Sequence, residues 1–106
     1  MRRALTYLFF LLAIAVHMQA QVNTDRVMAI GRNALYFEDY VLSIQYFNQV
    51  IKAKPWMAEP YFYRAVAKLN LDDFQGAEED CTLSLERNPF LAQAYYCLLY
   101  TSDAAD

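Results

Sequence analysis

Apolar and polar positions along this chain change their rhythm after the first sixteen residues. Residues 4–16 (ALTYLFFLLAIAV) form an almost unbroken apolar run. From Thr24 onward, apolar and small residues recur instead at steps of three and four, the spacing that lines one face of an α-helix. Val27, Ile30, Gly31 and Ala34 make one such face, and YFED (residues 36–39) interrupts it. Tyr40, Ser43, Phe47, Val50 and Ile51 make a second. Tyr61, Ala65 and Leu69 begin a third; after LDD (residues 71–73), Phe74, Ala77, Cys81 and Leu85 form a fourth. Four helices are predicted. Asp39 and Asp73 stand where an N-cap carboxylate can accept orphan amide bonds. Pro55 and Pro89 follow the second and fourth helices, where a missing N–H does no harm. Lys52, Lys54 and Arg87 fall near helix C-termini, where the dipole favours cations.

The four helices are two copies of one pattern. Thr24–Met57 set above Ala58–Leu91 registers without a gap. Leu35 falls on Leu69, Asp39 on Asp73 and Pro55 on Pro89. Elsewhere the match is one of size: Gly31 with Ala65, Ser43 with Ala77, Tyr40 with Phe74, Ile51 with Leu85, Trp56 with Phe90. Preserved size with little identity is what packing demands. Antiparallel helices approach closely only where the crossing residues are short, so Gly31 is expected to face Ser43, and Ala65 to face Ala77. Tyr40, Phe47 and Phe74 are expected to fill the space between hairpins.

A 34-residue helix–turn–helix unit of this kind resembles the tetratricopeptide repeat family. Its small residues correspond to Gly31 and Ser43, then Ala65 and Ala77; its aromatic to Tyr40 and Phe74; its proline to Pro55 and Pro89. The chain departs from the family pattern at Cys81, where an aromatic is usual, and at Val50 and Ser84, where alanine is usual. The resemblance covers Thr24 to about Tyr96. It implies an all-α fold of antiparallel helix hairpins stacked as an α-solenoid, here truncated after about two repeats (21–57 and 58–91), with 92–96 opening a third. It also implies a groove lined by the first helix of each unit. Carried over residue by residue, the groove is Asp25, Met28, Arg32, Leu35 and Tyr36, then Glu59, Phe62, Val66, Leu69 and Asn70. Such an apolar, adaptable surface suits an extended or helical peptide. The alternative is that these side chains pack against further parts of a longer solenoid. The carboxylate-clamp subclass, which holds chaperone C-terminal tails, wants asparagine where this chain has Arg32.

Composition then limits what the fold can serve. The net charge of −3 leaves no basic stripe for a phosphate backbone, so nucleic acid is not an expected partner. Arg2 and Arg3, the apolar run to Val16 and a small residue at Ala20 read as a secretory signal peptide over residues 1–20, cut before Gln21. The apolar run is shorter than the roughly 20 residues of a spanning helix. An uncleaved membrane anchor is the alternative, since Met18 stands where a small residue is preferred. Export to a periplasm or cell envelope is expected, and the leader resembles those of Gram-negative bacteria. At the other end CLLYTSDAAD (residues 97–106) equals one reading frame of a common transposase adapter, and is expected to be a non-native tail. The competing reading is a natural capping helix. Two stacked hairpins alone are expected to be marginally stable, because each buries its face only on neighbours.

Catalytic chemistry finds no support. His17 is the single histidine and lies in the leader, so no His-based triad or metal cluster remains after its removal. Cys81 sits at a core position beside Glu78, Glu79 and Asp80, which oppose thiolate formation. Asp72, Asp73, Glu78, Glu79 and Asp80 lack the alternation and central glycine of a calcium loop, and read as a turn followed by a solvated helical turn. No cofactor is expected. The expected function is a protein-interaction scaffold; the alternatives are a repeat region serving a larger enzymatic or signalling protein, and a membrane-tethered assembly factor.

Overall fold

The first glycine of the chain is Gly31 and the first proline Pro55, so nothing in the early sequence stops a helix once begun. In the computed structural model a single helix, α1, accordingly runs Arg2–Tyr36. The sequence divides this stretch into a leader and a first repeat helix; the backbone joins them without a break. The structure describes residues 2–91, 93, 95, 97, 99 and 100, and only the backbone of 17–22. The side chain of His17, the cut expected after Ala20, and tail residues 98 and 101–106 lie outside the described residues.

Three further helices follow: α2 (Tyr40–Ala53), α3 (Glu59–Asn70) and α4 (Phe74–Arg87). Residues 93, 95, 97, 99 and 100 are helical as well. The fold is all-α. α1 packs antiparallel on α2, α3 on α4 and α2 on α3, with a narrower contact between α1 and α3. Both hairpin turns close in the same way. Glu38 and Asp72, one repeat apart, take left-handed φ angles of 64° and 62°. The next amide reaches back to the helix it leaves, Asp39 N to Ala34 O at 2.9 Å and Asp73 N to Lys68 O at 2.9 Å. This is the Schellman closure, which satisfies carbonyls that a helix end would orphan.

The two N-caps differ. Asp73 Oδ1 accepts from Gly76 N at 3.0 Å. Asp39 occupies the cap position of α2 but its side chain makes no capping bond.

Among the described residues the core has two parts. Ala65, Ala77, Cys81 and Cys97 form one cluster, with Phe62 and Leu69 against it. Ala65 and Ala77 thus meet as expected. Cys97, which the sequence sets outside the repeat, is buried with them. Met28, Phe47 and Val50 form the other, flanked by Val27, Leu35, Met57 and Tyr63. Here two details differ from expectation. Ile30 is exposed, and Thr24 and Met28 take the buried face of α1. The atoms nearest a Cβ on Gly31 would be those of the Phe47 ring, at 2.8–3.2 Å. The short residue at position 31 therefore makes room for an aromatic ring seated within the hairpin. That ring stacks on Tyr63 of the next hairpin, centroids 5.6 Å apart.

Candidate functional site

The groove residues sit on α1 and α3, the first helices of the two hairpins, and the structure distributes them unevenly. Met28 is buried in the core cluster with Phe47 and Val50, and Leu35 packs half-buried beside it. Arg32 is exposed, its guanidinium 5.9 Å from the centre of the Tyr63 ring, in cation–π range. Tyr36 is 81% exposed and meets Phe37 edge-on. On α3, Phe62, Val66 and Leu69 are half-buried. Asn70 turns back on its own helix, Nδ2 donating to Val66 O at 2.8 Å.

Two clefts result. One, of about 270 Å³, lies between the hairpins and is lined by Thr24, Asp25, Met28, Arg32, Met57 and Glu59. It has an apolar floor of two methionines and charges of both signs at its rim. The other, about 460 Å³, is lined by Phe62, Val66, Leu69, Gln93, Cys97 and Tyr100. It is almost wholly apolar, and Cys97 and Tyr100 of its far wall belong to the segment that falls out of the repeat register. Leu35, Tyr36 and Asn70 line neither cleft.

The polar interior was not legible as such. Asp80, which the sequence places in a solvated acidic run, is 1% exposed. Arg64 Nε and Nη2 donate to its two carboxylate oxygens at 2.7 and 2.5 Å, and Lys68 Nζ lies 2.9 Å from Oδ2. The remaining Arg64 nitrogen, Nη1, donates to Asn48 Oδ1 on α2 at 2.8 Å. One guanidinium thus ties α3 both to its own hairpin and to the preceding one. The usable signal was periodicity: Asp80 lies three residues after Ala77 and four before Ser84, on the buried face. Ser84 donates from Oγ to Ala58 O at 2.9 Å, which accounts for a hydroxyl where the family usually has alanine. Arg87 stacks on Tyr61 at 4.2 Å, and both donate to the carbonyl of Pro55, at 2.6 and 2.9 Å.

The Cys81 thiol is pushed far above the ordinary cysteine range. Its hydrogen bond to Cys97 contributes most, then burial, then the Cys97, Asp80 and Glu78 charges. Cys97, accepting that bond, is shifted down. Cys81 is therefore a neutral core thiol rather than a nucleophile. Among the described residues no group of three or more His, Cys, Asp or Glu is placed to hold a metal ion.

No family model matches the chain, and no curated protein is similar to it at a significant level. Solved structures are. The fold is similar to that of "TPR2B-domain:pHsp70-complex of yeast Sti1", with a TM-score of 0.76 and 24% identity over 77% of this chain. It is similar also to "TPR2AB-domain:pHSP90-complex of yeast Sti1", with a TM-score of 0.76 and 23% identity over 95% of this chain. The chain spans 66% and 41% of those two chains' lengths. At such identities the likeness is one of architecture: these are helix hairpins packed as in tetratricopeptide repeat domains.

Proposed function

We propose that the chain is a non-catalytic interaction scaffold that takes a peptide segment of a protein partner along its α1/α3 face. The observation that carries this is the pair of clefts on that face, one rimmed by Asp25, Arg32 and Glu59 and one apolar around Phe62, Val66 and Leu69. A ligand of matching chemistry has an apolar side chain for each cleft and a carboxylate for Arg32. The yeast domains of similar fold, in complex with pHsp70 and pHSP90, lend support by analogy of architecture. With Arg32 where a carboxylate clamp wants asparagine, the proposed partner class differs from chaperone tails.

The test is selection from a displayed peptide library with the intact chain. Selected peptides should be enriched in an acidic residue flanked by apolar ones. They should bind an Arg32→Glu variant on the order of tenfold more weakly, as loss of a central anchor does. Peptides that bind Arg32→Glu and the parent chain equally would sink this reading.

For residues 1–20 we propose the role of an export leader that delivers the repeats to the periplasm or cell envelope. The fate of the leader then decides between two forms of the protein. A cut after Ala20 frees the scaffold; a retained leader makes it a membrane-tethered assembly factor. In the second form, the uninterrupted helix from Arg2 into the first repeat would join the tether to the scaffold. Amino-terminal sequencing of protein from exporting cells separates them, since a start at Gln21 excludes the tether.

A further inference from the structure

The two ends of the hairpin stack differ in charge and in what they expose. At the end bearing the hairpin turns, carboxylates dominate: Glu38, Asp39, Asp72, Asp73, Glu78 and Glu79 are all exposed. At the opposite end, where α2 passes to α3 and α4 ends, Arg26, Lys52, Lys54 and Arg87 stand against Asp25, Glu59 and Glu86. That end also exposes Trp56 (67%) and Phe90 (91%), residues one repeat apart. The turn end exposes aromatics too, Tyr36 and Phe37, but among those carboxylates.

The first half of α1 emerges from the Trp56 end. The first cleft sets Thr24 and Met28 beside Met57, level with the foot of α2. The helix from Arg2 to Asn23 therefore projects about 30 Å past that foot. Leu5, Tyr7, Leu8, Phe9, Phe10, Leu11, Leu12, Ile14 and Val16 are each more than half exposed on it. None of the described residues covers this apolar rod. Among the described residues no helix is long and apolar enough to cross a membrane. About 12 Å of helix separates Val16 from the level of Trp56, somewhat more than the roughly 5–8 Å polar layer of one leaflet. A tilted rod with its apolar stretch in lipid thus brings Trp56 and Phe90 to the headgroups.

We propose that the Trp56/Phe90 end of the repeat body docks on an anionic bilayer surface, with the apolar stretch of α1 inserted beside it. Exposed tryptophan is favoured at headgroup depth, where one side of the ring is apolar and the other wet. Basic residues near the surface draw the body to anionic lipid, and the carboxylates of the turn end face away from it. The cleft around Phe62, Val66 and Leu69 then lies along the side of a body standing on the membrane, open to a partner, while the cleft rimmed by Asp25 and Glu59 opens close to the surface. This docking rests on the membrane-tethered form of the scaffold.

Trp56 is the single tryptophan and reports on its own position. The intact chain is mixed with vesicles of phosphatidylglycerol and phosphatidylethanolamine, and separately with phosphatidylcholine vesicles, each with and without headgroup-labelled nitroxide lipid. The expected result is a blue shift of Trp56 emission, quenching by the nitroxide, and a preference for the anionic vesicles. Reversing Arg26 and Lys52 to glutamate should reduce that preference by on the order of tenfold or more, since each basic residue at the surface contributes about fivefold. A chain that co-sediments with vesicles while Trp56 stays unquenched overturns the docking and leaves the tether standing. A chain that binds neither kind of vesicle overturns both.

Discussion

At the scale of single residues, the two hairpins are unequal copies. Asp39 and Asp73 share a repeat position, yet only Asp73 closes an N-cap bond, to Gly76 N. Asp73→Ala is expected to cost about 1 kcal/mol, and Asp39→Ala distinctly less. Chemical denaturation of the two variants measures the difference, and equal losses would contradict the unequal caps. Polar burial was the least legible part of the sequence. Asp80 follows Glu78 and Glu79 directly and looks like a third solvated acid, and no local feature announces Arg64 or Lys68 as its partners sixteen and twelve residues earlier. Tyr63, which joins Phe47 to Arg32, carried no signal at all. Phe47 and Arg32 lie on other helices, and pairings across helices leave no mark in a local pattern.

At the scale of helices, the three- and four-residue spacing placed α2, α3 and α4 well, because each is short, amphipathic and stopped by a turn or proline. It failed for the start of α1, where an apolar leader and an amphipathic repeat helix are equally good helix formers and no residue marks the join. The small-residue crossing was legible because size is conserved between copies. Ala77 is fully buried against Ala65, whereas Gln75 is exposed on the same helix. Ala77→Leu should therefore lose about 1–3 kcal/mol through overpacking, while Gln75→Leu stays near neutral. A thermal melt that moves equally for both would remove the basis for the crossing. The groove was partly legible: Phe62, Val66 and Leu69 line one cleft, but Met28 gives most of its surface to the core, a distinction periodicity cannot draw when both faces are apolar.

At the scale of the whole molecule, stability rests on contacts between neighbouring units, as in other repeat stacks. Arg64 is the polar part of that coupling, bonded to Asp80 in its own hairpin and to Asn48 in the one before. Arg64→Met should cost on the order of 3 kcal/mol, because it strips a buried carboxylate of its main partner. It should also broaden the unfolding transition as the hairpins lose their link. Lys68→Met, which removes one contact within a hairpin, should do less; equal effects in a denaturant titration would argue against Arg64 as the link. The unbroken α1 has a consequence of another kind. A helix without a joint fixes rotational phase as well as distance, so the direction in which the groove faces is set by the number of residues between it and Arg2. One alanine inserted after Ala13 would swing the groove by about 100°, and seven would return it to within about 20° of its starting azimuth. In the proposed tethered form, a partner that grips both the first half of α1 and the groove should be recruited with that period, measured by cross-linking from Arg32 on the intact membrane.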